Sequence, residues 1–196
     1  IRIHGKVRAI EPNRPLEADE IERLAHGMFN DAQRKEFETE LEVNLAIAPE
    51  GIGRFRVNVF RQRGAVSMVV RFIKHQIPSL EDLHLPARLR RLVMEPRGLV
   101  LAVGATGSGK STTLASLIDY RNAEHPGHIL TVENPIEFLH PHRRCIVDQR
   151  EIGLDTHSYE AALANAMRGS PDVILIGEIR RRETMSHALA YAETGH

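Results

Sequence analysis

Leu99-Val100-Leu101-Ala102-Val103, followed by Gly104-Ala105-Thr106-Gly107-Ser108-Gly109-Lys110-Ser111, decides how this chain is read. The first five residues form an apolar run of strand length. The next eight fit G-x-x-x-x-G-K-[ST], and Leu114, Leu117 and Ile118 then recur at helical spacing. Strand, glycine-rich turn and helix in that order make a phosphate cradle. Glycines let backbone N–H groups point inward with no Cβ in the way, and the helix directs its positive end at the same anion. Lys110 is expected to reach the β- and γ-phosphates, and the Ser111 hydroxyl to ligate Mg²⁺. A chance glycine-rich turn is the alternative. With glycine at about 7% of residues, a random match anywhere in a chain this long has a probability of roughly one in a hundred.

Downstream, strand-like and helix-like stretches alternate: a helix from 110 to about 122, strands at 129–133 and 145–148, a helix at 159–167, a strand at 173–176 and a helix from about 183 to 192. The strands are continuous Val/Ile/Leu runs, as expected when helices cover both faces of a parallel sheet. Val173-Ile174-Leu175-Ile176-Gly177-Glu178 is an apolar strand ending in an acid, the form of a Walker B element with Glu where Asp is usual. Glu178 is expected to hold Mg²⁺ through water. The strand at 129–132 also ends in acids, Glu133 and then Glu137 of Asn134-Pro135-Ile136-Glu137. Parallel strand ends gather at the carboxyl edge, where ligands bind, so one of these acids can orient an attacking water.

Upstream, apolar residues alternate: Val43, Leu45 and Ile47, then Phe55, Val57 and Val59, then Val66, Met68, Val70 and Phe72. With breaks at Pro49-Glu50-Gly51 and Arg63-Gly64, this predicts an antiparallel meander with one solvated face. Before it, Ile21, Leu24, Ala25, Met28 and Phe29 recur at helical spacing, and Phe37 with Leu41 continue in a second, charged helix. The result is a small α+β domain over 1–78, its first strand expected to be cut at Ile1. Ser79-Leu80-Glu81-Asp82 has the form of a capping box opening a short helix, and Pro78, Pro86 and Pro96 punctuate what reads as an inter-domain linker over 79–96. Residues 97–196 form the α/β domain.

Composition removes several classes. Among 196 residues, 26 Lys+Arg balance 26 Asp+Glu, which supplies no sequence-independent attraction to nucleic acid. Cys145 is the single cysteine and cannot close an intrachain disulfide. The longest apolar runs are far too short for a transmembrane segment, so any membrane contact is expected to be peripheral. His140, His142 and Cys145 lack the paired spacing of a zinc site, and Cys145 reads as a small buried apolar residue. Arg143-Arg144 and Arg180-Arg181-Arg182 read as solvated surface. Starting at Ile1 and stopping at His196 within a helical pattern, the chain reads as an internal fragment.

Four ordered motifs carry a resemblance. The 104–114 stretch, Glu133-Asn134-Pro135-Ile136-Glu137-Phe138, Pro171-Asp172 through Ile179-Arg180, and Ala192-Glu193-Thr194-Gly195-His196 resemble the Walker A, Asp box, Walker B and His box of secretion ATPases. Arg54-Phe55-Arg56-Val57-Asn58 and Arg97-Gly98-Leu99-Val100 are similar to the PilT/PilU retraction ATPases of type IV pili. Gly51-Ile52-Gly53-Arg54, Tyr120-Arg121-Asn122 and Gly153-Leu154-Asp155-Thr156 lean toward the PilU side. Three features depart from the PilT pattern: Arg181-Arg182 stands where an aspartate is usual, Gly169-Ser170 where an acid precedes Pro-Asp, and Asn134 where the Asp box has its aspartate.

The resemblance implies an α/β fold: an N-terminal PAS-like α+β domain followed by a RecA-like P-loop NTPase domain with a mainly parallel sheet, incomplete here and cut at the His box. It implies ATP and Mg²⁺ as cofactors, with Gly104, Ala105, Thr106, Gly107, Ser108, Gly109, Lys110, Ser111 and Thr112 binding nucleotide. By the same resemblance Ser111 and Glu178 hold Mg²⁺, Glu137 activates water, and His196 contacts nucleotide or the neighbouring motif. Arg56 and Arg71, with Arg54 as a third candidate, neutralise charge on the γ-phosphate. The implied assembly is a homo-hexameric motor for pilus retraction and twitching motility, mixed with or stacked on a paralogous retraction ATPase. Its implied partner is an inner-membrane pilus platform protein, and its location is cytoplasmic, peripheral at the bacterial inner membrane. No nucleic-acid partner is expected. Loss of the aspartate at Asn134 suggests, as alternatives, a nucleotide-binding accessory subunit with weak turnover, or a related assembly or type II secretion ATPase.

Overall fold

The alternation over 43–72 becomes three antiparallel strands in the computed structural model, which describes residues 2–3, 6–9, 14–73 and 76–196. Two units separate by contact, Ile1–Pro49 with Phe55–Arg71, and Glu50–Arg54 with Phe72–His196. In the first, β1 (Arg2–Ile3) pairs with β2 (Lys6–Val7). Helix α1 (Ala18–Met28) opens on a capping box in which the Glu17 amide donates to Glu20 Oε2 at 2.9 Å. Helix α2 (Asp31–Glu40) opens on another, in which the Gln33 amide donates to Asn30 Oδ1 at 2.8 Å. The sheet runs β3 (Glu42–Ile47), β4 (Phe55–Gln62), β5 (Ala65–Phe72) in that order. Val43 faces Val59 and Leu45 faces Val57 across the first pair, and these four join Ala25, Phe37 and Val66 in one core.

The apolar periods of helix and strand overreach, in mid-helix at Leu24 and at element ends elsewhere. Leu24 and Leu41 are each 53% exposed rather than packed. Leu41 caps α2 at φ 63°, a left-handed geometry that turns the chain out of the helix and carries its side chain with it. Val70 and Phe72 are half exposed, because the core under this sheet lies beneath the start of β5, around Val66 and Met68. The predicted cut of a first strand at Ile1 falls outside the described residues.

In the second unit the order is α3 (Arg88–Met94), α4 (Lys110–Glu124), β6 (Gly127–Glu133), β7 (Cys145–Glu151), α5 (Tyr159–Ala166), β8 (Val173–Ile176) and α6 (Arg182–Glu193). The sheet is parallel with β6 central between β7 and β8. Leu130 and Val132 of β6 pack on Ala162, Leu163 and Ala166 of α5, while Ile129, with Cys145 and Val147 of β7, packs on Ile118 of α4. Both faces are therefore covered by helices, as the uninterrupted apolar strands require. Cys145 lies buried on its strand, its thiol donating to the His125 carbonyl at 3.0 Å.

Two predicted elements differ. The capping box at Ser79 forms, with the Asp82 amide donating to Ser79 Oγ at 3.0 Å, but it closes a single turn; His84 at φ 52° ends it before a helix propagates. The 99–103 run is not a strand. Among the described residues the run pairs with no strand, the outer edge of β8 included, and Leu99, Val100, Leu101 and Val103 are 39–90% exposed. Apolar composition reports what a segment could bury against, not whether the neighbour is there.

Candidate functional site

Glycines shape the 104–111 loop at two positions: Gly107 and Gly109 have φ of 80° and 91°, which side chains rarely adopt. A Cβ on Gly104 would stand 2.8 Å from Ser108 Oγ, a hydroxyl that would have to turn aside. Gly109 caps α4, whose first turn begins with Lys110 and places Ser111 and Thr112 directly after it. The Lys110 ammonium lies back over the loop, donating to the carbonyls of Gly104 at 2.9 Å and Ala105 at 2.8 Å. The positive charge and the helix N-terminus thus converge on one loop.

Lys110, Ser111, Gly104, Glu178 and His196 line a single cavity of about 650 Å³. Glu178 follows β8, and its Oε2 accepts from Arg180 Nε at 2.9 Å. Ser111 Oγ and the Glu178 carboxylate are hard oxygen donors, a set that suits Mg²⁺ completed by water. His196 meets the loop's approach through backbone: its carbonyl accepts from the Gly98 amide at 2.9 Å, and its own amide donates to the Tyr191 carbonyl at 3.0 Å.

Glu133 and Glu137 do not line that cavity. Glu133 ends β6 half-buried, its Oε1 accepting from Thr131 Oγ1 at 2.6 Å and Gln149 Nε2 at 3.2 Å. Burial pushes its carboxyl up, and these two hydrogen bonds act in the opposite direction. Glu137 is exposed on the loop beyond it. Asn134 is exposed in the turn between them. Arg56 lies on β4 opposite Ala46, and Arg71 is exposed on β5, both in the first unit. Arg54 accepts at its carbonyl from the Ile73 amide at 2.9 Å.

Sequence reasoning assigned no role to two residues at this edge, Gly177 and Tyr159, or to Asn122 at the opposite edge of the sheet. Gly177 permits close approach: its amide donates to the Val132 carbonyl at 2.8 Å, and it brings the ends of β6 and β8 together. Asn122 is fully buried, donating to the Pro141 carbonyl at 2.7 Å and accepting from the amides of Arg143 at 3.3 Å and Cys145 at 3.2 Å, so it pins the approach to β7 against α4. Tyr159, the first residue of α5 after the Ser158 cap, buries its hydroxyl without a hydrogen-bond partner. Burial, then the nearby charges of Glu178 and Glu133, push that phenol well above its ordinary range.

A glycine-rich loop on a helix N-terminus, beside a parallel sheet whose strand ends carry acids, defines a P-loop α/β domain. The chain belongs to the type II/IV secretion system protein family, which it matches over residues 1–196. It is 52% identical over 196 residues to the type IV pilus ATPase PilU of Pseudomonas aeruginosa, covering 100% of this chain and 51% of that protein. To the type IV pilus retraction ATPase PilT of the same species it is 46% identical over 196 residues, covering 100% of this chain and 57% of that one. A crystal structure of the pilus retraction motor PilT with bound ADP matches at a TM-score of 0.94 and 43% identity, over 100% of this chain and 57% of that one. The mixed α/β fold with its parallel sheet is the one the motifs led us to expect. The chain spans about half the length of these curated relatives. Among the described residues, no helix is long and apolar enough to cross a membrane.

Proposed function

We propose that this chain carries the nucleotide-binding and hydrolytic core of an ATP-driven motor that retracts type IV pili. The observation that carries the reading is the meeting of Lys110, Ser111 and Glu178 on one cavity at a glycine-shaped helix N-terminus. Loop amides and Lys110 bind the β- and γ-phosphates, Lys110 exchanging the Gly104 and Ala105 carbonyls for phosphate oxygens. Ser111 and Glu178 hold Mg²⁺, whose charge offsets that of the phosphates. Glu137, exposed and on the same edge, orients the attacking water, with Glu133 fixed behind it. His196 carries the state of the site to the segment at Gly98. The printed names of the relatives, pilus ATPases and a retraction motor with ADP, support the same reading.

On this reading the motor is a homo-hexamer at the cytoplasmic face of the inner membrane, working with a pilus platform protein and a paralogous retraction ATPase. Arg56 and Arg71 neutralise γ-phosphate charge within the ring. The domains divide as 1–78, a linker over 79–96, and 97–196. Steady-state ATP hydrolysis by the full-length protein tests the core of the reading: turnover abolished by Lys110→Ala supports it, and turnover indifferent to that change overturns it. Asn134 favours a second reading, an accessory subunit that binds nucleotide and turns it over weakly. Asn134→Asp raising turnover severalfold would favour that one.

A further inference from the structure

We propose that Gln149 is a positioning residue that ties Glu133 to the segment carrying Glu137, so that the two acids of this edge keep a fixed relation. The proposal rests on the water-orienting role given to Glu137 above. Strands β6 and β7 pair with Thr131 opposite Gln149 and Glu133 opposite Glu151. By the two-residue period of a strand, these four share a face with Ile129, Cys145 and Val147, which pack on Ile118 of α4. That face is apolar at its start and polar at the carboxyl edge, where Thr131 is fully buried and Glu151 is 2% exposed. Packing alone would be served there by apolar residues, which cost nothing to desolvate.

Gln149 uses both ends of its amide. Its Oε1 accepts from the His140 amide at 2.8 Å, and its Nε2 donates to the Phe138 carbonyl at 2.9 Å and to Glu133 Oε1 at 3.2 Å. A backbone N–H can only donate and a carbonyl can only accept, so these two partners fix which end of the amide faces Glu133. It is the donor end. Two residues further along the same face, Glu151 Oε2 accepts from the Ile136 amide at 3.2 Å. The segment after β6 is thus tied at 136, 138 and 140, every second residue. Ile136 and Phe138 are buried, and Glu137 between them is exposed. Its outward aim follows from the anchors on either side, and Gln149 supplies one of them with the same nitrogen that holds Glu133.

The test compares the full-length protein with two variants. Gln149→Met keeps the length of the side chain and removes its hydrogen bonds; Gln149→Glu keeps the acceptor for His140 and loses the donor. ATP turnover, ADP affinity by calorimetry and thermal melting are measured for each, alone and in a Glu137→Gln background. We expect kcat to fall at least about tenfold, as for a misplaced reacting group, with KM for ATP changing by less than about twofold. ADP affinity should stay within about twofold of the parent's, because Lys110 and Ser111 are carried by α4 and not by β7. In the Glu137→Gln background, Gln149→Met should lower kcat no further. Gln149→Met carries the test if Gln149→Glu does not fold. Parent kcat in Gln149→Met, an equal loss of ADP affinity, a further loss in the Glu137→Gln background, or a Gln149→Met protein unfolded at the assay temperature overturns this proposal alone. A parent that hydrolyses no ATP, or Glu137→Gln turning over at the parent rate, overturns the function proposed above and takes this assignment with it.

Discussion

A Cβ built on Gly177 would stand 3.1 Å from the Cα of Glu133 and 3.3 Å from the Val132 carbonyl oxygen. The end of β8 and the end of β6 touch through backbone, with no side chain between them. Gly177→Ala forces these strands apart at backbone atoms that cannot rotate away. It should cost about 1–3 kcal/mol by denaturant unfolding and lower turnover beyond that, because it displaces Glu133 and Glu178 together. An alanine variant with native stability and turnover would mean the strand ends are not held at this spacing.

The Lys110 ammonium donates to loop carbonyls, and its loss should leave the fold alone. Without nucleotide, Lys110→Ala should melt within about 0.5 kcal/mol of the parent, as exposed substitutions do. With ADP at a hundred times the parent's Kd, the parent gains about 2.7 kcal/mol by mass action; the variant should gain almost none. Thermal shift with and without ADP reads both arms.

Asn122 binds one carbonyl and two amides from a fully buried position. Asn122→Ala strands all three groups and should destabilise by about 3 kcal/mol, at roughly 1 kcal/mol or more for each orphaned group. Urea unfolding measures this, and a loss under about 1 kcal/mol would show that water replaces the side chain.

His140 is 8% exposed, with Nδ1 unpartnered, and burial together with Arg143 lowers its pKa from 6.5 to about 4. Below pH 6.5 the unfolded chain takes up a proton that the folded chain refuses, so stability falls with pH. The contribution is whole above pH 6.5 and is lost progressively down to about pH 4, by at most about 3 kcal/mol. His140→Phe should flatten the stability profile between pH 4 and 6.5 while leaving the profile above pH 7 parallel to the parent's. An unchanged acid slope would place the sensitivity elsewhere.

Legibility in the sequence tracked how local the cause was. The phosphate loop was readable because its glycines answer to backbone dihedrals fixed within eight residues. Val173–Ile176 was readable because four apolar residues between polar ends leave no other strand register. Leu41 was misread because helical period says nothing of the left-handed residue that ends the helix. Asn122 stayed hidden for a different reason: its side-chain partners lie 19 or more residues away, and the residue type does not announce burial. Glu133 and Glu137 were visible as acids, but which one is fixed by Thr131 and Gln149 depends on the pairing of β6 with β7, which sequence spacing does not encode.

Among the described residues, the 99–103 run lies outside any ladder, the outer edge of β8 is unpaired, and both border the same cavity. A strand edge with apolar flanks is adhesive toward any extended segment, including its own copy on another chain. In handling, this predicts solubility that falls with concentration and warming through intermolecular sheet, visible as rising thioflavin T fluorescence. A lysine at Val103, 90% exposed, should suppress it as a gatekeeper charge without disturbing either core.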